Sequence, residues 1–211
     1  MMSTKPAKRR EIEEHRLVDS FEVVAAAASA GGLTALSRVL SELPADFPAP
    51  ILVVQHLDPR HRSLMVEILA KRTFLDVQQA EDKMRMEPGT VYIAPPDYHL
   101  LVDADGTLSL SHSELVHFVR PSADLLFESV AANYKERAIA VVLTGTGRDG
   151  SMGVKAIKTM GGTVLAQDEK TSEFFGMPGA AIETKSVDFV LPLEDIAPAL
   201  IALVMKGSDS K

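Results

Sequence analysis

Four uninterrupted apolar runs of strand length constrain this chain most: VVAAAA at 23–28, ILVVQ at 51–55, AIAVVL at 138–143 and TVLAQ at 163–167. A strand with one face in water alternates polar and apolar residues, whereas a strand covered on both faces is apolar throughout. Amphipathic stretches lie between the runs. Leu33, Leu36, Leu40 and Leu43 mark one helical face, and Leu64, Met65, Ile68 and Leu69 a second. Leu125, Leu126, Ser129 and Val130 predict the inward face of a helix over 122–136. Val154, Ile157 and Met160 predict another, stopped by Gly161-Gly162. TVYIA (90–94) and VDFVL (187–191) add shorter strands, and a last helix follows over 195–205. The turn Asp103-Ala104-Asp105-Gly106 between two short apolar segments predicts a hairpin at about 98–110. The alternation predicts an α/β fold: a doubly wound, mainly parallel sheet with helices on both faces and an antiparallel hairpin at one edge.

A chain of 211 residues, 46% hydrophobic, suits one domain with a sizeable core. We place that domain at 21–205, between a charged segment (1–20) and a polar tail (206–211). The absence of cysteine excludes disulfides and thiolate metal sites. A net charge of −7, few aromatics and one basic run, Lys5 to Arg10, with Glu11, Glu13 and Glu14 close behind, argue against nucleic-acid binding. No stretch resembles a signal peptide, and the apolar runs are too short to span a bilayer, so a soluble, cytoplasmic protein without membrane insertion is expected.

In open α/β sheets, ligands bind beyond the carboxyl ends of the strands. Three strands end in reactive residues there: Ser29, followed by Ala30-Gly31-Gly32; His56, after Gln55; and Asp149, in Thr144-Gly-Thr-Gly-Arg-Asp149-Gly150. Hydrolysis through serine needs that set. The hydroxyl is a weak nucleophile, an imidazole must take its proton, and a carboxylate must hold the imidazole's tautomer. Ser29 lies between a strand and a helix, where backbone N–H groups and the helix start stabilise negative charge. Each residue also has a plainer reading: Ser29 as a turn residue or phosphate ligand, His56 as a hydrogen-bonded strand end, Asp149 as a helix N-cap. No histidine pair has metal-ligand spacing, and neither metal nor cofactor is expected.

At these residues the sequence resembles the catalytic domain of the CheB-type protein-glutamate methylesterases of chemotaxis. The matching blocks are AASAGGL (27–33), VVQHLDP (53–59), AEDKMRMEPGTVYIAPPDYHL (80–100), RPSADLLFESVA (120–131), VVLTGTGRDGSMG (141–153), AQDE (166–169) and FGMPGAAI (175–182). The resemblance implies a catalytic Ser29, His56 and Asp149, with oxyanion donors near Ala30, Gly31 and Thr146. It implies a loop at Gly176-Met177-Pro178 beside the site, and makes Arg120 a candidate to approach an acidic receptor surface. The implied substrate is a glutamate γ-methyl ester on the cytoplasmic domain of a methylated chemoreceptor or a similar helical protein, and glutamine deamidation is a second family activity. A separate regulatory protein is a further candidate partner.

The chain departs from the family pattern at Ala27, where glycine is usual, at Ala30, which lacks a hydroxyl, and at Thr146, where methionine is common. If position 27 required a positive φ, alanine would cost about 1–2 kcal/mol. Residues 1–20 are too few to form the receiver domain that two-domain family members carry, so activity indifferent to phosphodonors is expected. A catalytically idle signalling domain, and an esterase for a non-receptor substrate, are the alternatives to a receptor methylesterase.

Overall fold

The structure, a computed structural model, describes residues 21–56 and 64–205. Nine strands run in chain order as β1 (Val23–Ala28), β2 (Ile51–Gln55), β3 (Asp76–Gln79), β4 (Thr90–Ile93), β5 (His99–Val102), β6 (Leu108–Ser111), β7 (Ala138–Val142), β8 (Thr163–Gln167) and β9 (Phe189–Leu191). Seven of them form one sheet in the order β3-β4-β2-β1-β7-β8-β9, every neighbouring pair parallel. The helices are α1 (Gly32–Ser41), α2 (Met65–Ala70), α3 (Ala123–Tyr134), α4 (Ser151–Thr159), α5 (Gly176–Glu183) and α6 (Leu193–Val204).

The apolar runs predicted as doubly covered strands are the centre of this sheet. In β1, Val24, Ala26 and Ala28 face one core, while Val23, Ala25 and Ala27 face the other. Leu36, Val39 and Leu40 of α1, Met65 and Leu69 of α2, and Ile196, Leu200 and Leu203 of α6 fill the first. The second holds Leu126, Phe127 and Val130 of α3, Val154 and Ile157 of α4, and Met177 and Ala181 of α5. Alanines along β1 leave room for helices to approach the sheet centre from both sides.

Ala27 is an ordinary strand residue, paired with Val54 on one side and Val142 on the other and fully buried. Its φ is not positive, so the anticipated penalty does not arise.

Three features differ from the sequence expectations. The hairpin β5–β6 forms as a two-stranded sheet of its own, packed against α3, rather than as a further strand at the edge of the main sheet. Strand β3 was not expected, because DVQQ is polar and sits at the sheet's edge, where one side stays in water. Gly176-Met177-Pro178 opens helix α5 instead of forming a loop; proline is tolerated there because first-turn N–H groups have no helical partner. Residues 1–20 and 206–211, and the end of the VVQHLDP block, lie outside the described residues. Among the described residues no helix is long and apolar enough to cross a membrane.

Candidate active site

Strand β1 has β2 on one side and β7 on the other, so chain connections leave its carboxyl end in opposite directions and open a crevice there. Ser29 is the first residue past β1. Its N–H donates to Thr144 O at 3.0 Å. Its carbonyl accepts from Gly32 N at 2.8 Å and from Gln55 Nε2 at 2.7 Å. The backbone of the candidate nucleophile is therefore tied to the ends of β2 and β7, while no hydrogen bond holds its Oγ among the described residues. Gly31, at φ 76, makes the left-handed turn into α1, and a side chain there would strike Glu173 Oε2 at 2.7 Å.

His56 follows β2 as Ser29 follows β1. The parallel register pairs Ala28 with Gln55, and His56 N donates to Ala28 O at 3.2 Å, which brings the two residues side by side. His56 Nε2 lies 2.8 Å from Asp149 Oδ2. Asp149 is only 3% exposed and receives three more hydrogen bonds: from Ala123 N at 2.6 Å, Ser122 Oγ at 2.8 Å and Asp124 N at 3.1 Å. Burial pushes its carboxyl pKa up, but the hydrogen bonds from His56, Ala123 N–H and Ser122 outweigh burial and hold it below the ordinary carboxylate value. An ionised carboxylate only accepts, so Nε2 is the protonated nitrogen and Nδ1 is left as the base. No hydrogen bond joins Ser29 Oγ to His56 among the described residues.

The loop from β7 to α4 completes the crevice. Gly145 presses so closely on Ser29 that a side chain there would meet Ser29 Cβ at 2.8 Å and Met177 Sδ at 2.5 Å. Met177, buried at the start of α5, thus touches the site through its sulfur, and its N–H donates to Gly145 O at 2.8 Å. The N–H groups of Ala30, Gly31 and Thr146 have no partner among the described residues, which leaves them free to receive negative charge.

Arg120 is held by its own neighbours, two residues before Ser122. Its guanidinium pairs with Asp97 Oδ1 at 2.6 Å and donates to Ser113 O at 2.6 Å, and its side chain is 13% exposed. It fastens the segment before α3 to Asp97 and Ser113.

Several residues that build the site lie in the matching blocks but have no role that the sequence alone assigns. Thr144 Oγ1 accepts from Phe174 N at 2.8 Å and lies 3.1 Å from Ala30 O, its N–H donates to Gln167 Oε1 at 2.8 Å, and Gln55 spans β1 and β2. Ser122 and Asp124 hold Asp149 from α3.

A family model described as CheB methylesterase matches residues 24–200. The chain belongs to the CheB methylesterase family. Among curated relatives, a provisionally named protein-glutamate methylesterase/protein-glutamine glutaminase of Leptospira interrogans is 44% identical over 184 residues, 87% of this chain and 95% of that one. The protein-glutamate methylesterase/protein-glutamine glutaminase of Maricaulis maris is 40% identical over 89% of this chain, which spans only 47% of its length. In the crystal, the CheB methylesterase catalytic domain of Thermotoga maritima has the same architecture. The match has a TM-score of 0.84 at 41% identity and covers 88% of this chain and 100% of that one. The CheB catalytic fold thus accounts for the crevice at the end of β1, and of the three departures from the family pattern only Ala30 and Thr146 fall within it.

Proposed function

We propose that this chain removes methyl groups from glutamate γ-methyl esters of a protein, as a serine hydrolase using Ser29, His56 and Asp149. The observation that carries the reading is the His56 Nε2–Asp149 hydrogen bond of 2.8 Å, made to a buried carboxylate, beside a serine whose backbone is fixed and whose hydroxyl is free. Ser29 Oγ attacks the ester carbonyl and passes its proton to His56 Nδ1. The oxyanion that forms takes hydrogen bonds from backbone N–H groups at Ala30 and Thr146. Collapse of the intermediate releases methanol, protonated by His56, and leaves a glutamyl ester on Ser29. Water, deprotonated by the same nitrogen, then cleaves that ester and frees the glutamate carboxylate.

A glutamine side chain enters the same path with ammonia as leaving group, and the relatives' names pair the two activities. The substrate we favour is the cytoplasmic domain of a methylated chemoreceptor, which places the chain in the cytoplasm.

The test is methanol release from methylated receptor by wild type, Ser29→Ala, His56→Ala and the double variant. Each single change removes nearly all turnover, and the double change costs little more, because nucleophile and base act as a unit. A Ser29→Ala protein that keeps more than about a tenth of the activity is incompatible with this nucleophile.

A further inference from the structure

We propose that Asp124 is a positioning residue for this chemistry: its carboxylate caps α4 from α3 and so fixes the β7–α4 loop that carries Asp149 and Thr146. The proposal deepens the methylesterase reading and rests on it for its kinetic arm.

The first N–H groups of a helix have no partner within it, and a polar side chain just before the helix usually supplies one. Neither helix here does so for itself. The N-cap of α4 is Gly150, which has no side chain. The N-cap of α3 is Ser122, whose Oγ donates to Asp149 Oδ1 instead of capping its own helix. The two helices exchange caps. Asp149, just before α4, accepts from Ala123 N and Asp124 N at the start of α3. Asp124, in the first turn of α3, accepts from Met152 N at 2.9 Å and Gly153 N at 2.7 Å at the start of α4. A bond of 3.1 Å from Asp124 N–H to Asp149 Oδ1 closes the exchange. Asp149 therefore has its carboxylate held by α3 and its backbone held, through α4, by Asp124.

Two buried carboxylates side by side are unfavourable. Asp124 is 3% exposed; burial first, and the neighbouring Asp149 charge, push its pKa up. Its Oδ2 has no hydrogen-bond donor among the described residues, although His117 Nε2 lies 3.2 Å away. A neutral cap would stabilise α4 without that repulsion. An acidic side chain at this place, bonded through its own N–H to the residue that orients His56, marks a site built for geometry at the expense of stability.

The test uses the full chain with Asp124→Ala, Asp124→Asn and Asp124→Glu. Three readouts are taken: methanol release, thermal stability, and the downfield proton resonance of the His56 Nε2–H that bonds Asp149. Asp124→Ala lowers kcat roughly ten- to a hundred-fold, the size expected when a reacting group is misplaced by about 1 Å, leaves KM within about two-fold, and shifts or abolishes the resonance. Asp124→Asn, whose carbonyl oxygen still accepts both N–H groups, restores kcat to within about three-fold. Should the alanine protein fail to fold, Asp124→Glu moves the carboxylate by one methylene and lowers kcat and shifts the resonance together. Lowered stability with wild-type kcat and an unmoved resonance would reduce Asp124 to a helix cap and overturn the proposal. A wild-type chain that releases no methanol refutes the methylesterase reading, while the resonance comparison still decides the role of Asp124.

Discussion

Four donors converge on the carboxylate of Asp149, and the chemistry there depends on its staying ionised. Its folded-state pKa is depressed, so it contributes stability above its unfolded value and loses that contribution as pH falls through the folded one. Asp149→Asn keeps the shape but weakens bonds to a charged acceptor, which predicts a loss of about 1–3 kcal/mol at neutral pH. The gap to wild type should shrink as pH drops below the ordinary carboxylate value of about 3.9. Denaturant unfolding of both proteins across this range checks it, and a gap independent of pH would show that the charge is not what the site holds. Turnover should fall by about 10³–10⁴-fold, because an amide supports the wrong imidazole tautomer. The plainer sequence reading of Asp149 as an N-cap thus has a structural counterpart, but the helix it caps is α3, some 25 residues earlier, while it also binds His56. Ser29 and His56 were legible because each directly follows a buried strand that reads as an unbroken apolar run, and Asp149 because it closes the glycine-rich loop after a third such run. Asp124, Thr144 and Gln167 were not, because each acts on backbone from a distant segment and its own neighbours in sequence are silent about that partner.

The starts of α3 and α4 pack most tightly at Gly153. A side chain at Gly153 would meet Phe127 Cβ at 2.5 Å and the Asp124 carbonyl oxygen at 3.0 Å, and backbone does not yield as a flexible side chain does. Gly153→Ala gains about 1 kcal/mol of helix propensity, yet separating two packed helices costs about 1–3 kcal/mol, so a net loss of stability is expected. The same separation stretches the exchanged caps, and kcat should fall with stability. Thermal unfolding and ester turnover of the variant check both, and a stabilised, fully active Gly153→Ala protein would mean that the helix starts are not in register-critical contact. Elements were legible in proportion to how far their own residues satisfy them. The runs at β2 and β8 have the predicted bounds because burial on both faces writes an unbroken apolar signature. Helix α5 was missed because GMPGAAIE carries two glycines and a proline, and what makes it helical is packing of Met177, Ala180 and Ala181 together with a tight fit at Gly176, where a side chain would meet Gly145 O at 3.0 Å.

The molecule has two cores with one sheet between them, and the candidate site uses them unequally. Ser29 leads into α1 on the first core, whereas Asp149 is held by α3 and α4 on the second. Damage to either core should lower stability, but only the second is coupled to the alignment of carboxylate and imidazole. Leu200 of α6 and Phe127 of α3, 2% and 0% exposed, are matched probes. Leu200→Ala should cost about 2–5 kcal/mol and Phe127→Ala about 3–5 kcal/mol. The Phe127 ring also lies where a side chain on Gly150 would meet it at 3.4 Å, directly behind Asp149, so its removal loosens the loop as well as the core. Denaturant midpoints should therefore fall for both variants. Turnover per folded molecule, measured well below either unfolding temperature, should stay near wild type for Leu200→Ala and drop for Phe127→Ala. Equal turnover in the two variants would mean that the sheet transmits disorder from one core to the other as readily as within a core. The rigid pairing of β1 with both β2 and β7 argues against that outcome, because parallel strands buried on both faces are the part of this fold least free to shift.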